Sequence, residues 1–299
     1  MIIVTLVATL AAAMVWQQWR AVQVESAERA RAQSAWILSG ALDFARLILR
    51  EDLKSGRTTT ALTEPWATPL EESRLSTFLA VDKANADDGP EAFLSGNITD
   101  AQARFNLNDL VSQGKIDPAA LATLERLCQT VGIDTGVAAR IAAGLRDASA
   151  AQTGSVIVAA PLEPKTLAQL SWLGIDQGSI RALEPYVVLL PVATAINVNT
   201  ASKEVIAAVV NLDPASAERL IRIRQRKPFK DIPTFMAQVA APAGLTPNVD
   251  VRSSFFEVHG RLRLGDHVLT ERSLVQRLSS GQLNVLQRER VASLEQLGG

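Results

Sequence analysis

The first fifty residues constrain the fold more than any other part of the chain, because they can form one uninterrupted helix. Proline is absent before Pro65, and Gly40 is the only glycine before Gly56. The sequence therefore predicts a helix from Met1 to about Lys54. At 1.5 Å per residue it would span roughly 80 Å, which is more than a small domain can cover. One end of the helix must project from the body of the protein.

The two halves of this predicted helix have different surfaces. In the second half, apolar residues recur at three- and four-residue steps on one face, as in a helix packed on a body. These residues are Leu38, Leu42, Ala45, Leu49 and Leu53. The stretch "QVESAERARAQSAW" (23–36) mixes glutamate and arginine with alanine and has no comparable stripe. We expect it to be exposed.

The run from Ile2 to Trp16 is almost wholly apolar, and three interpretations compete for it. A secretory signal peptide should open with positive charge, which is absent here. A membrane span needs roughly 20 apolar residues, so this run is a short or incomplete one, whereas a run of 10 to 14 often belongs to a buried core helix. We favour the membrane and assign contact with membrane and partners to Ile2, Val4, Leu6, Val7, Leu10, Met14 and Trp16.

Composition argues against most chemical functions. With 30 basic and 31 acidic residues the chain is nearly neutral, which gives no sign of a polyanionic partner. The single cysteine, Cys128, excludes an internal disulfide, and two histidines, His259 and His267, give little support to zinc binding or acid–base catalysis. We find no nucleophile elbow, phosphate loop or dinucleotide fingerprint. The sequence therefore predicts a protein that is not an enzyme.

The order of elements indicates an α+β fold in which a helical segment interrupts a sheet. After the long helix a strand is predicted near residue 95, and alternating patterns predict three antiparallel strands after residue 250. Between them, starts such as Asp117-Pro118 predict successive helices near 118–131, 134–149, 165–173, 176–184, 200–211, 214–227 and 232–240. We infer that strands pair across this helical segment.

One segment favours a different function. Residues 196–237, beginning "INVNTASKEVIAAVVNLDPAS", resemble a helix-hairpin-helix DNA-binding unit. In such units a glycine hairpin lets backbone amides approach phosphate, but this hairpin has no glycine and Asp213 adds negative charge. We expect the nearby basic residues to form a solvated face: Arg219, Arg222, Arg224, Arg226, Lys227 and Lys230. The alternative function is a membrane-anchored periplasmic DNA-binding protein.

Four stretches together resemble the K-type minor pseudopilins of the bacterial type II secretion system. They are "SGNITDAQARFNLNDLV" (95–111), "GKIDPAALATLERLCQTVGID" (114–134), "LEPYVVLLPVATAINVNTASKEVIAAVV" (183–210) and "FFEVHGRLRLG" (255–265). The pairing of "QARFNLN" with "INVNTAS" about ninety residues later is more specific than either motif alone. The residues that carry it, and to which the resemblance gives a structural role, are Phe105, Asn106, Asn108, Asn197, Asn199 and Thr200.

The resemblance implies a pilin-like fold, in which a long N-terminal helix packs on an antiparallel sheet and a large all-helical domain is inserted between strands. The implied segments are a membrane and assembly helix (1–54), the first part of the body (55–108), the inserted domain in two halves (109–195 and 196–245) and the C-terminal strands (246–299).

The resemblance also implies a cellular role. The chain would be anchored in the bacterial inner membrane by a single pass, with its body in the periplasm. There it would join I-type and J-type minor pseudopilins at the tip of the pseudopilus and support the export of folded proteins. No nucleic-acid partner is expected.

Two features depart from the family pattern. Pseudopilins are made with a short basic leader that prepilin peptidase removes, and none precedes Met1, so we expect a longer precursor in which Met1 is internal. Family members also carry an acidic calcium loop, yet "RDASAAQTGSVIVAAPLEPK" offers only Asp147 before Glu163. We read the acidic stretch "DKANADDGPE" (82–91) as a polar loop. We therefore expect no calcium site and no other cofactor.

Overall fold

One long helix and one five-stranded sheet form the framework of the protein. The computed structural model describes residues 1–75, 91–152, 161–239, 246–265 and 267–291. Helix α1, Ile2–Lys54, is continuous, as the sequence predicts. Leu38, Leu42, Ala45 and Leu49 are buried along its packed face, and Leu53 is half-buried. Among the described residues, only the second half of α1 is buried against the body, so the first half projects.

The sheet on which α1 packs has five antiparallel strands in the order β1–β2–β9–β10–β11. Their bounds are Leu70–Arg74 for β1, Ala92–Asp100 for β2, Phe255–Leu264 for β9, His267–Arg277 for β10 and Leu283–Val291 for β11. The three predicted C-terminal strands are thus confirmed. The predicted pairing across the helical segment is confirmed too, because β2 pairs with β9 over its whole length.

Two glycines face each other where α1 lies on the sheet. Gly96 of β2 and Gly260 of β9 are register partners. A methyl group added to Gly96 would lie 2.5 Å from the His259 carbonyl oxygen, and one added to Gly260 would lie 3.1 Å from the Leu38 side chain. The absence of side chains here lets β2 and β9 approach and lets Leu38 rest on the sheet.

The segment between β2 and β9 is mainly helical. Its helices are α2 (Pro118–Thr130), α3 (Gly136–Gln152), α4 (Gln177–Leu183), α5 (Lys203–Val210), α6 (Pro214–Arg226) and α7 (Ile232–Met236). The predicted helix at 165–173 is a 3₁₀ helix, Leu167–Leu173. The helix predicted to reach residue 240 ends at Met236. It ends there because the amides of Gln238 and Val239 bond the carbonyls of Phe235 and Met236, three residues back, instead of carbonyls four residues back.

Short ladders tie the inserted segment together. Strand β3 (Phe105–Asn106) pairs in parallel with β6 (Val187–Val188), and β7 (Ile196–Asn197) pairs in parallel with β8 (Val249–Asp250). Between them, β4 (Val111–Ser112) and β5 (Lys115–Ile116) form a small hairpin. The boundaries predicted at residues 108 and 195 stay predictions.

The apolar core is divided between the inserted segment and the body. The larger cluster fills the inserted segment, where Phe229 and Phe235 meet edge-on at 5.2 Å between ring centroids. A smaller cluster lies between α1 and the sheet, where Trp66 meets Phe256 edge-on at 5.3 Å. These aromatic rings add buried apolar area and edge-to-face contacts to each cluster.

Candidate assembly interface

The N-terminal part of α1 presents an extended exposed apolar surface. All seven side chains assigned to membrane and partner contact are exposed: Ile2, Val4, Leu6, Val7, Leu10, Met14 and Trp16. An 18-residue window of this helix has a mean hydropathy of 1.6 and none of it is buried. By length and composition α1 can therefore cross a membrane.

A second exposed apolar patch lies on the part of α1 that packs on the body. Trp36 is 80% exposed and Phe44 is 51% exposed, and Gly40 stands between them with open space where a side chain would be. Beside this patch a groove of about 550 Å³ separates α1 from the sheet, with a mainly apolar lining. Leu38, Leu94 and Ile98 are among the residues that line this groove.

Two of the motif residues, Asn197 and Thr200, are buried beside a buried carboxylate. Asp100, at the end of β2, accepts hydrogen bonds from the Thr200 hydroxyl at 2.5 Å, the Ser253 hydroxyl at 2.6 Å and the Asn197 amide at 2.9 Å. The Gln102 backbone N–H is 2.8 Å from its other oxygen. Burial raises the pKa of Asp100, and these bonds act against that rise. We call this group the Asp100 junction.

Asn197 extends the Asp100 junction to the loop that follows α1. Its amide nitrogen lies 2.9 Å from the Thr60 carbonyl oxygen and 2.9 Å from the Ser253 hydroxyl. Its amide oxygen accepts the Asn199 backbone N–H at 2.9 Å. One buried side chain thus joins three distant parts of the chain.

The side chains of Asn106 and Asn108 form hydrogen bonds with the irregular connection between β6 and β7. The Asn106 side chain donates to the Val192 carbonyl at 2.7 Å and accepts the Leu190 N–H at 3.1 Å. Asn108 donates to the Leu190 carbonyl at 3.1 Å. The neighbouring Phe105 is buried in the core of the inserted segment. These bonds replace the backbone pairing that the irregular connection lacks.

Asn199 and Arg224 stabilise the turn before α5 in the same way, through hydrogen bonds to backbone groups. Asn199 accepts the Phe229 N–H at 2.8 Å and donates to the Phe229 carbonyl at 2.9 Å. Arg224 is buried and donates to the Val198 carbonyl at 2.7 Å, and burial lowers its pKa to about 10. The predicted assignment of Arg224 to a solvated face is therefore wrong, because its side chain is buried against the turn that follows β7.

The last turn of α1 is joined to the sheet by a buried ion pair. Arg277, at the end of β10, lies 3.0 Å from the Asp52 carboxylate and donates to the Thr60 hydroxyl at 3.0 Å. It also bonds the Ser253 carbonyl at 3.1 Å, and Arg57 reaches the other Asp52 oxygen at 2.7 Å. The Asp52 pair and the Asp100 junction share Thr60 and Ser253, so they form one continuous network.

The outer face of the sheet carries a separate charged cluster. Arg104 lies 2.7 Å from Glu257, and the His259 imidazole lies 3.6 Å from the same carboxylate. Burial alone would raise the pKa of Glu257, but bonds from His259 and Arg104 outweigh it and lower the pKa to about 2. His259 is half-buried beside this carboxylate rather than a plain surface group.

The hairpin between α5 and α6 is built differently from a phosphate-binding one. Asn211 takes the left-handed conformation at φ 54°, where DNA-binding hairpins use glycine. The Asp213 carboxylate accepts the N–H groups of Ala215 and Ser216 at 2.9 and 3.0 Å. These are the amides that would otherwise face a phosphate at the start of the helix.

The described part of the chain holds no group of three or more His, Cys, Asp or Glu that could bind a metal. The Asp147 carboxylate forms an ion pair with Arg146 at 2.8 Å. Cys128 is buried in the core, where burial raises the pKa of its thiol to about 11. Residues 82–90 and 153–160, which belong to the two stretches considered for calcium, lie outside the described residues, as does the side chain of His267.

Sequence reasoning missed the roles of Asp52, Thr60 and Arg277. One signal was available for Asp52, because it follows Leu49 by three residues and so falls on the packed face of α1. A charge at such a position calls for a buried partner. No local pattern identifies Arg277 as that partner, since 225 residues separate the two.

Comparisons with known proteins place this chain among secretion proteins. Two family models, both described as type II secretion system protein K, match residues 103–192 and 196–252. The type II secretion system protein K of Pseudomonas aeruginosa is 29% identical over 313 residues, covering 97% of this chain and 90% of that protein. The Klebsiella pneumoniae protein of the same name is 26% identical and covers 93% of this chain and 90% of its own length.

The fold has a solved counterpart. One chain in the crystal structure of the GspK–GspI–GspJ complex from enterotoxigenic Escherichia coli matches with a TM-score of 0.68. The two are 22% identical, and the match covers 89% of this chain and 99% of that one. The pilin-like α+β fold with its helical insertion is therefore shared.

Proposed function

Since this chain belongs to the type II secretion system protein K family, we propose that it acts at the tip of a periplasmic pseudopilus, beside I-type and J-type minor pseudopilins. It is a minor pseudopilin of type II protein secretion. We propose that its role is structural: it supports export of folded proteins by assembling with its neighbours, without catalysis and without a cofactor.

The observation that carries this proposal is the exposed first half of α1 on a body that is otherwise folded. The apolar side chains from Ile2 to Trp16 contact no other part of the described chain closely enough to be buried. Such a surface needs another apolar environment, which a bilayer or neighbouring helices supply. A subunit that waits in the membrane and then joins a helical bundle uses both.

The proposed location follows from the same geometry. We place α1 across the bacterial inner membrane as a single pass, with the sheet and inserted segment in the periplasm. The body is joined to the end of α1 by the Asp52–Arg277 pair, so it moves with the helix as one unit.

The test is assembly with the proposed partners. The full chain is co-expressed with the I-type and J-type minor pseudopilins of the same organism, extracted in mild detergent and analysed by size exclusion with light scattering. We expect a complex with one copy of each subunit. A control chain with Leu6 and Leu10 changed to Gln tests whether the exposed helix is needed for extraction with the membrane.

Absence of a complex, together with salt-sensitive retention on DNA, would favour the helix-hairpin-helix alternative instead. Absence of both would remove the assembly proposal without supporting DNA binding.

A further inference from the structure

Two tryptophans stand together on the exposed part of α1. Trp16 is 60% exposed and Trp19 is 56% exposed. Their indole rings are stacked, with centroids 5.5 Å apart and an interplanar angle of 29°. A separation of three residues puts both on the same side of the helix, so together they form one wide aromatic surface that the described chain does not cover.

This aromatic pair marks the point at which α1 changes character. Residues 2–15 before it contain no charge, and Gln17, Gln18 and Arg20 accompany it. Indole has an apolar body and one N–H donor, and tryptophan is enriched where hydrocarbon meets the headgroups of a bilayer. An arginine beside it can extend its guanidinium towards lipid phosphates while its methylenes stay near the acyl chains.

We propose that Trp16 and Trp19 bind the interfacial layer of a phospholipid bilayer, on the side of the folded body, and fix the depth of α1 in the membrane. This inference rests on the single-pass arrangement proposed above. It adds a lipid contact to that arrangement and assigns it to two residues. The ligand is the boundary between headgroups and acyl chains, to which stacked indoles present both apolar rings and N–H donors.

The anchor also sets the height of the body above the membrane. The first buried residue of α1 is Ser34, and residues 20–33 between Trp19 and Ser34 are exposed or half-buried. Fourteen helical residues span about 21 Å. The body therefore stands on an exposed helical stalk rather than on the lipid surface.

The charged residues of the stalk beyond Arg20 form ion pairs with one another. Arg29 lies 2.5 Å from Glu25, and Arg31 lies 3.0 Å from Glu28, in pairs one helical turn apart. Each pair is solvent-exposed and stabilises the helix only slightly. The consequence is that residues 21–33 present no net charge to the headgroups, so the depth of α1 depends on the two tryptophans and on Arg20 beside them.

The test uses depth-dependent fluorescence quenching. The full chain is reconstituted into phosphatidylcholine vesicles brominated either near the glycerol backbone or near the methyl end of the acyl chains. We expect tryptophan emission to be quenched most by the shallow bromines, and the W16F/W19F variant to lose that quenching. Phenylalanine keeps the apolar helix surface but lacks the N–H and the indole emission.

A matched control is W36F, which removes another exposed tryptophan of α1, seventeen residues beyond Trp19 and beside the groove. It should leave the shallow quenching unchanged. Stronger quenching by deep bromines, or none from Trp16 and Trp19, would overturn the proposal. Since the vesicles contain no partner subunit, such a failure is separate from any failure of pseudopilin assembly, which is measured in detergent.

Discussion

The guanidinium of Arg277 lies 3.0 Å from the carboxylate of Asp52, and both side chains are buried. This pair connects the last turn of α1 to the end of strand β10. It also packs its cation over the Phe256 ring, at 4.7 Å from the centroid. The position of α1 against the sheet is thus set by a directional contact as well as by apolar packing.

Changing Arg277 to Met should lower the free energy of unfolding by about 3 kcal/mol, because it leaves the Asp52 carboxylate buried with only Arg57 as a partner. Chemical denaturation of the full chain in mild detergent measures this. The control is Lys54→Met, which breaks an exposed pair with Glu51 and should cost no more than about 1 kcal/mol. Equal effects of the two changes would contradict the assigned role.

Leu49→Ala should destabilise the protein by about 2–5 kcal/mol, because Leu49 is fully buried between α1 and the sheet and its loss leaves a cavity. The matched control is Leu47→Ala on the same helix. Leu47 is 42% exposed, so its truncation should change the free energy of unfolding by no more than about 0.5 kcal/mol. Similar losses in both variants would mean that α1 packs on the sheet by a different face.

Asp109 should make stability depend on pH between about 4 and 6. Burial, the first cause, raises its pKa from 3.8 to about 6, although the Thr194 N–H and Asn248 bond its oxygens at 2.9 and 3.2 Å. The folded state then holds the proton more tightly than the unfolded state, so this contribution is full below pH 4 and is lost as the pH rises through 6. In Asp109→Asn this loss should vanish when denaturation midpoints are measured across that range.

Glu257→Gln supplies a comparison of opposite sign. The folded pKa of Glu257 is about 2, below its ordinary 4.5, so its contribution is present above pH 4.5 and is lost as the pH falls towards 2. The variant should be less stable than the native chain at neutral pH, and the difference should shrink on acidification. A difference that grows on acidification would contradict the assignment.

The native chain should give no mobility shift with duplex DNA at micromolar protein and physiological salt. Asp213 occupies the amides at the start of α6 and Arg224 is buried, which leaves little to bind phosphate beyond exposed side chains. An electrophoretic mobility assay checks this. The result would be contradicted by a salt-sensitive shift that disappears when Arg222 and Arg226 are changed to Gln.

Calcium titration should give no stoichiometric heat, and a chelator should leave the melting temperature unchanged. The physical reason is that Asp147 is already paired with Arg146, and calcium needs six to eight oxygen ligands. Calorimetry and thermal unfolding of the full chain measure both effects, with Asp147→Asn as the control that should change neither. A rise in melting temperature with added calcium would show that a site exists.

Local patterns in the sequence predicted the parts of this fold that local chemistry determines. The absence of proline and the Leu38–Leu49 stripe predicted α1, and alternation predicted the C-terminal strands. Proline after aspartate predicted the starts of α2 and α6, where the Asp117 and Asp213 side chains cap the first amides.

Contacts between distant residues were beyond this reasoning. Asn197 bonds Asp100 across 97 residues, and Thr60 across 137. A polar residue in a loop has the same local pattern whether it faces water or a buried carboxylate. The burial of Arg224 was missed for the same reason, because a basic helix predicts a solvated face unless the turn that covers Arg224 is known.

Asp100 and Phe256 are partners in the β2–β9 ladder, and paired antiparallel residues lie about 5 Å apart. The chain leaves the sheet after Asp100 and returns to it beside Asp100 at Phe256. A tight turn in place of the inserted segment would therefore preserve the order of the strands. In the described part of the chain the strands of this sheet pair only with one another, whereas the inserted segment joins them through side chains such as Asn197 and Thr200. The inserted segment can therefore vary in length without changing which strands of the sheet are neighbours.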